Sequence, residues 1–275
     1  MENKSDNQKH LDQAIPNKKK YLLKIQYNGA NYSGWQLQNE LQNAKKTIQG
    51  VIEKKLKILL KEDVRLFVAG RTDAKVHANG QCAHISVSEK NSYKLNDSFK
   101  FLYNINALLK EETIVILSIT EIQDPEFHAR FSCKSKTYKY YIFKSYIRDI
   151  FLEKTTWRVP QFDIEKANEC TQYIIGHHDF SSIRDAQCQA KSAMRSIDKC
   201  LFYSIPHQFG ELICMEISGR SFLHHQIRIL IGTIHQIIAT NKPAITMQDI
   251  LEKKDRSIAG PTAPAHGLFL EKIEY

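Results

Sequence analysis

The chain has 275 residues, a formal charge of +9, 42% hydrophobic residues and 25% charged residues. Those proportions exclude a collagen-like or wholly disordered chain, and fit one large globular domain or two fused small ones. The positive balance points weakly to a polyanionic partner, since many basic proteins bind no nucleic acid.

Residues 1–20 are polar, with five Lys against three acids, and read as a disordered basic arm. The arm has no apolar core for a secretory signal, and it has acids but no Arg, which argues against a mitochondrial transit peptide. No apolar run reaches transmembrane length, so no membrane partner is expected. Cys82, Cys133, Cys170, Cys188, Cys200 and Cys214 form no C-x-x-C pair. They read as free thiols packed as small hydrophobes in a reducing, cytoplasmic setting.

Tyr21, Leu23, Ile25 and Tyr27 alternate with polar residues and predict a strand. Thr47 caps a helix through Ile48, Val51, Ile52, Leu56 and Leu59. Strands follow at 64–69 and 81–87. Phe99, Leu102, Ile105 and Leu109 mark a second helix, and 113–122 another strand. The order then repeats. A Tyr- and Phe-rich strand spans 137–144, and Asp163 opens a helix that Gly176 stops. Strands at 197–204 and 211–218, a helix over 222–239, a short helix over 246–254 and a strand over 268–273 complete the chain. Both series read β-α-β-β-α-β, the second with an insertion and an extra helix. The expected fold is α+β: two ferredoxin-like halves, 21–123 and 124–275, sharing a mainly antiparallel sheet flanked by helices. That fold hosts RNA-binding modules and unrelated enzymes, so it leaves function open.

The chemistry-bearing stretch is Ala69-Gly70-Arg71-Thr72-Asp73-Ala74-Lys75-Val76-His77-Ala78. It lies between two predicted strands, too long for a tight hairpin and dense in ionisable groups. Read from composition, it is a polar loop in which Arg71 and Asp73, two apart, share a side and form a local ion pair.

Residues 70–78 also match the G-R-T-D-A-G-V-H-A string of the tRNA pseudouridine synthase A (TruA) family at every position except Lys75, where the family usually has Gly. Other blocks follow in family order. Ser33-Gly34-Trp35-Gln36 is similar to its early F-x-G-W-Q. His128-Ala129-Arg130-Phe131-Ser132 with Tyr138 is similar to H-A-R-F-S…Y. The blocks 178–182 and 188–192 resemble a later stretch, and 222–228 resembles F-L-H-H-x-V-R. The block 263–268 resembles the closing A-P-x-x-G-L. The resemblance spans the chain from about Tyr21 onward and is consistent with the duplicated fold.

Pseudouridine formation breaks the N1–C1′ bond, turns the base and joins C1′ to C5. It needs a nucleophile but no electrons or phosphates, and a carboxylate can attack either base or sugar. The resemblance assigns that nucleophile to Asp73 and implies that Arg228 pairs with it. It makes Tyr138 the aromatic that stacks on the target base, and Arg71 the group that replaces or guides the flipped base. Tyr140 and Tyr141 read as core residues. Arg228 is expected to share a helical face with His224 and His225. Those histidines lack an evident third ligand, so no metal and no cofactor are expected. Lys75 raises the question of a positive φ.

The resemblance further implies tRNA as partner, uridines 38, 39 and 40 of the anticodon stem-loop as targets, and a homodimer. Basic candidates for RNA contact are Lys18, Lys19, Lys20, the ends of the 45–61 helix, Lys134, Lys136, Lys139 and Arg184, each read singly as a solvated surface charge. Two alternatives stand beside this reading: a synthase for another RNA, and a non-catalytic RNA-binding protein, which would not need Asp73.

Overall fold

A computed structural model describes residues 18–36, 46–240 and 246–275. The basic arm over 1–17 and Lys45 at the start of the first expected helix lie outside the described residues.

Strand β1 (Lys18–Tyr27) takes in Lys18–Lys20, which the composition leaves in the arm. It buries Tyr21, Leu23, Ile25 and Tyr27 and exposes Lys24 and Gln26, as period-two alternation requires. Helix α1 (Ile48–Leu60) starts where the Thr47 side chain accepts from the Gly50 amide at 3.3 Å. Strands β2 (Phe67–Val68) and β3 (His77–Ser88) follow. Helix α2 (Ser98–Leu108) is capped by Asp97, and β4 (Ile114–Ile122) closes the half.

The second half opens with β5 (Ser135–Lys144) and adds a short β6 (Trp157–Val159) and helix α3 (Ile164–Gln172), capped by Asp163. Next come β7 (Gly176–Asp179), β8 (Met194–Ile197), β9 (Lys199–His207) and β10 (Gly210–Gly219). Helix α4 (Gln226–Thr240), helix α5 (Met247–Lys253) and β11 (Leu268–Glu274) end the chain. A reciprocal Thr246–Asp249 capping box opens α5.

The main sheet runs β4-β1-β3-β11-β5-β10-β9, with β2 on β3 and β6 on β5, while β7 and β8 pair separately. Each half therefore has the same order, β4-β1-β3-β2 and β11-β5-β10-β9, the ferredoxin-like arrangement. Pairing is antiparallel except for β3 with β11 and β5 with β6. The halves join where His77 and Ala78 pair with Phe269 and Leu270. A single hydrophobic core runs through both, including Leu23, Ile52 and Phe101 on one side of that seam and Met215, Ile217 and Ile229 on the other. The cysteines are free thiols, all buried except the half-buried Cys188.

Two expectations change. Helix α2 buries Phe101, Ile105 and Leu109, and leaves Phe99 82% exposed. Residues two apart lie about 200° apart around a helix, so only one of Phe99 and Phe101 can face the core. Helix α4 begins at Gln226 rather than Phe222, because His225 takes φ 58 and interrupts the helical backbone. Gln226 instead turns its side chain back to accept from the Leu223 amide at 2.7 Å.

Candidate active site

Asp73 sits in the loop 69–76 between β2 and β3, and this loop is anchored along its length. The Ala69 amide donates to Cys82 O at 2.8 Å, and Gln81 Nε2 donates to Gly70 O at 2.8 Å. The hydroxyls of Tyr27 and Thr72 lie 2.7 Å apart. The Trp35 amide donates to Thr72 O at 3.0 Å, and the Lys75 amide to Tyr32 O at 3.3 Å. Gly34 makes this docking feasible: at φ 91 it lies so close that a Cβ there would stand 2.8 Å from Thr72 O. Trp35 is wholly buried, so the 33–36 segment supports the loop rather than facing solvent. The loop turns through a Val76 amide bond to Asp73 O at 3.2 Å. Lys75 holds φ 66 there, the left-handed conformation that Gly adopts without strain.

The Asp73 carboxylate, 27% exposed, meets three nitrogen groups from the other half of the chain. Arg228 Nη1 lies 3.3 Å from Oδ2, His225 Nε2 3.3 Å from Oδ2, and His224 Nε2 3.7 Å from Oδ1. Arg71 is not among these partners; the local Arg71–Asp73 pair expected from spacing gives way to the long-range Arg228 contact. Ala263 fixes Arg228 from both sides. Its carbonyl accepts from Arg228 Nε at 2.9 Å, and its amide donates to Arg228 O at 3.0 Å. Those two bonds fix the guanidinium in place against the Asp73 carboxylate.

The two histidines reach Asp73 by another route than a shared helical face. They precede α4, and their rings stack with centroids 3.8 Å apart. Behind them stands Asp185, which sequence reasoning passed over. Its Oδ2 lies 2.8 Å from His225 Nδ1, and its Oδ1 lies 3.7 Å from His224 Nδ1. The Gln187 amide holds the Asp185 carboxyl below the usual carboxylate range; burial opposes this, and His225 and His224 assist it. The imidazoles thus bridge two carboxylates. No spacing rule could have joined Asp185 to Asp73, because only the fold brings the two loops together.

Asp73, His224 and His225 present three ligand-type atoms within 4.8 Å of one another, so the fold supplies the third group that the sequence lacked. The donor set nevertheless suits a metal poorly. Arg228 already occupies Asp73 Oδ2, and stacked rings aim their lone pairs side by side rather than at one point.

Tyr138 lies on β5, 8% exposed, edge-on to Phe222 at 5.3 Å. Burial, then Tyr27 and Asp73, raise its phenol well above the usual range, so it stays neutral and able to donate. Tyr140, on the same face, is core: its hydroxyl donates to Pro264 O at 2.8 Å. Gly267 lies tight against it, since a Cβ there would come within 2.6 Å of the ring. The closing 263–268 segment thereby has two physical tasks, seating Arg228 and seating Tyr140. Tyr141, on the opposite face, is half-buried edge-on to Phe269. Arg71 reaches solvent beside Arg65 and Arg130; partial burial, then those two charges, lower its pKa.

Several of the basic candidates are engaged within the protein. Lys19 pairs with Glu121 at 3.1 Å, Lys20 donates to Pro125 O at 2.8 Å, and Lys139 pairs with Glu271 at 3.5 Å. Lys136 is not a solvated charge at all, being 8% exposed. Among the described residues, no helix is long and apolar enough to cross a membrane.

A family model described as tRNA pseudouridine synthase matches residues 170–275, the stretch that holds Asp185, His224, His225 and Arg228. That places the second half of the site in the pseudouridine synthase class of enzymes. Proteins named tRNA pseudouridine synthase A match nearly the whole chain. The one from Ehrlichia canis is 39% identical over 257 residues, covering 93% of this chain and 100% of its own. That from Neorickettsia sennetsu is 38% identical with the same coverage, and that from Anaplasma phagocytophilum is 36% identical over 258 residues, covering 93% and 100%. The chain belongs to the tRNA pseudouridine synthase A family.

Proposed function

We propose that this protein converts uridine to pseudouridine at positions 38, 39 and 40 of the tRNA anticodon stem-loop, with Asp73 as the nucleophile. The observation that carries the reading is the half-buried Asp73 carboxylate held against Arg228 at 3.3 Å, close enough to Tyr138 for its charge to act on the phenol. The relatives' shared name supplies the substrate class.

In this scheme the target uridine leaves its stack and lies against Tyr138. Arg228 pairs with Asp73 at 3.3 Å and orients it, and Asp73 attacks the nucleotide as N1–C1′ breaks. The base turns, C5 joins C1′, the bond to Asp73 breaks, and the proton lost from C5 is matched by one taken up at N1, so the reaction is a net isomerisation. Arg71, at the loop's exposed edge, fills or guards the vacated stack. The free thiols fit a reducing cytoplasm, and the protein acts there as a homodimer that holds one tRNA across both subunits.

Purified protein incubated with unmodified tRNA transcripts, without added metal or cofactor, tests this. Pseudouridine mapped by chemical modification and primer extension is expected at 38–40. Product confined to another arm would overturn the target assignment, and no product would overturn the reaction.

A further inference from the structure

The face of β5 that presents Tyr138 also presents Lys136, one strand repeat away, roughly 6.6 Å along the chain. Lys136 is 8% exposed, and its ammonium lies against the catalytic loop: a Cβ placed on Gly70 would stand 3.5 Å from Nζ. Among the described residues, no carboxylate forms an ion pair with Lys136, nor with Arg65, Arg71, Arg130 or Arg220. Several of these charges are close enough to act on one another or on a shared neighbour. Arg130 acts on both Lys136 and Arg71, Arg65 acts on Arg71, and Lys136 and Arg220 both act on the Cys133 thiol. Glu274, also felt at Cys133, is already paired with Lys272.

Withdrawing an ammonium from water without a counter-charge is unfavourable, so a site built this way is completed by an anion. A row of cations flanking one buried ammonium suits the repeating charge of a nucleic-acid backbone. We propose that Lys136, flanked by Arg71 and Arg130, binds a backbone phosphate of the RNA strand that carries the target nucleotide. The placement fits, because a nucleotide's base and phosphate are joined through one sugar and Tyr138 and Lys136 are one strand repeat apart. The identity of the strand rests on the tRNA reading above.

The test is the salt dependence of RNA binding by full-length Lys136→Met, Lys136→Arg and Arg130→Ala, using unmodified tRNA and a uridine oligonucleotide. Every backbone phosphate that a protein neutralises adds about 0.7–0.9 to the slope of log K against log salt. Lys136→Met is expected to flatten the slope by about one such increment and to weaken binding roughly fivefold at low salt, with Lys136→Arg restoring both. Arg130→Ala, a change at an exposed position, should flatten the slope by a similar amount and keeps the proposal testable if Lys136→Met does not fold. A folded Lys136→Met or Arg130→Ala with the wild-type slope would overturn it, as would a drop in thermal stability with no change in slope. A flattened slope on both RNAs, with a wild type that makes no pseudouridine, would sustain the phosphate site while removing the reaction it was placed in.

Discussion

In the C-terminal half, β9 and β10 join through Gln208 and Phe209 alone, with His207 paired to Gly210. In the N-terminal half the corresponding strands, β2 and β3, are separated by residues 69–76, and that loop carries Asp73. The reverse holds one connection later. β3 runs directly into a helical turn at Glu89–Ser92, whereas β10 and α4 are joined by the irregular stretch 220–225 that presents His224 and His225. Each half thus keeps one connection plain and elaborates the other, and the two elaborated connections meet beside the β3–β11 seam. A repeated scaffold gains a single site by breaking its symmetry in two places.

Among changes that leave Asp73 in place, the largest expected effect comes from separating the two connections. Arg228→Met should cut turnover by roughly 10²–10³-fold while tRNA affinity changes little, because the charge is needed mainly where Asp73 acts. Single-turnover rates with a separate Kd check this, and an equal loss in both would instead make Arg228 an RNA contact. Tyr138→Phe should slow turnover by about 10²-fold if its hydroxyl helps move the C5 proton, with binding kept. An unchanged rate would leave the ring only a stacking surface.

Scaffold positions should behave differently, changing stability before chemistry. Phe101→Ala should cost about 3–5 kcal/mol in chemical denaturation, whereas Phe99→Ala should stay within about 0.5 kcal/mol. A comparably small effect is expected of Lys75→Gly, which relieves a left-handed Lys at the cost of chain entropy. It should alter stability by less than about 1 kcal/mol and retain activity. A folded but inactive Lys75→Gly protein would show that the lysine itself serves the reaction.

How much of this was legible depended on whether the signal was local. Strand alternation over 21–27 and the caps at Thr47 and Asp163 are written in neighbouring residues, and each appears as expected. The motif around Asp73 marked its loop, and the resemblance of 222–228 implied the pairing with Arg228, which lies 3.3 Å from Asp73. What failed was set by distant packing. Phe99 and Phe101 offer equally good helical patterns, and the core alone selects Phe101. The start of α4 is decided by His225, whose left-handed backbone accompanies its bond to Asp185, forty positions earlier. Burial of Lys136 likewise follows from the 69–76 loop folding over β5, and nothing in its neighbours announces it.

The most direct measurement is pseudouridine formation on an unmodified tRNA transcript by Asp73→Asn beside wild type, with Kd determined for both. The account predicts binding within about threefold and a turnover loss of at least roughly 10⁴-fold, because one carboxylate carries the covalent step. A correctly folded Asp73→Asn protein with turnover within about tenfold of wild type would contradict it.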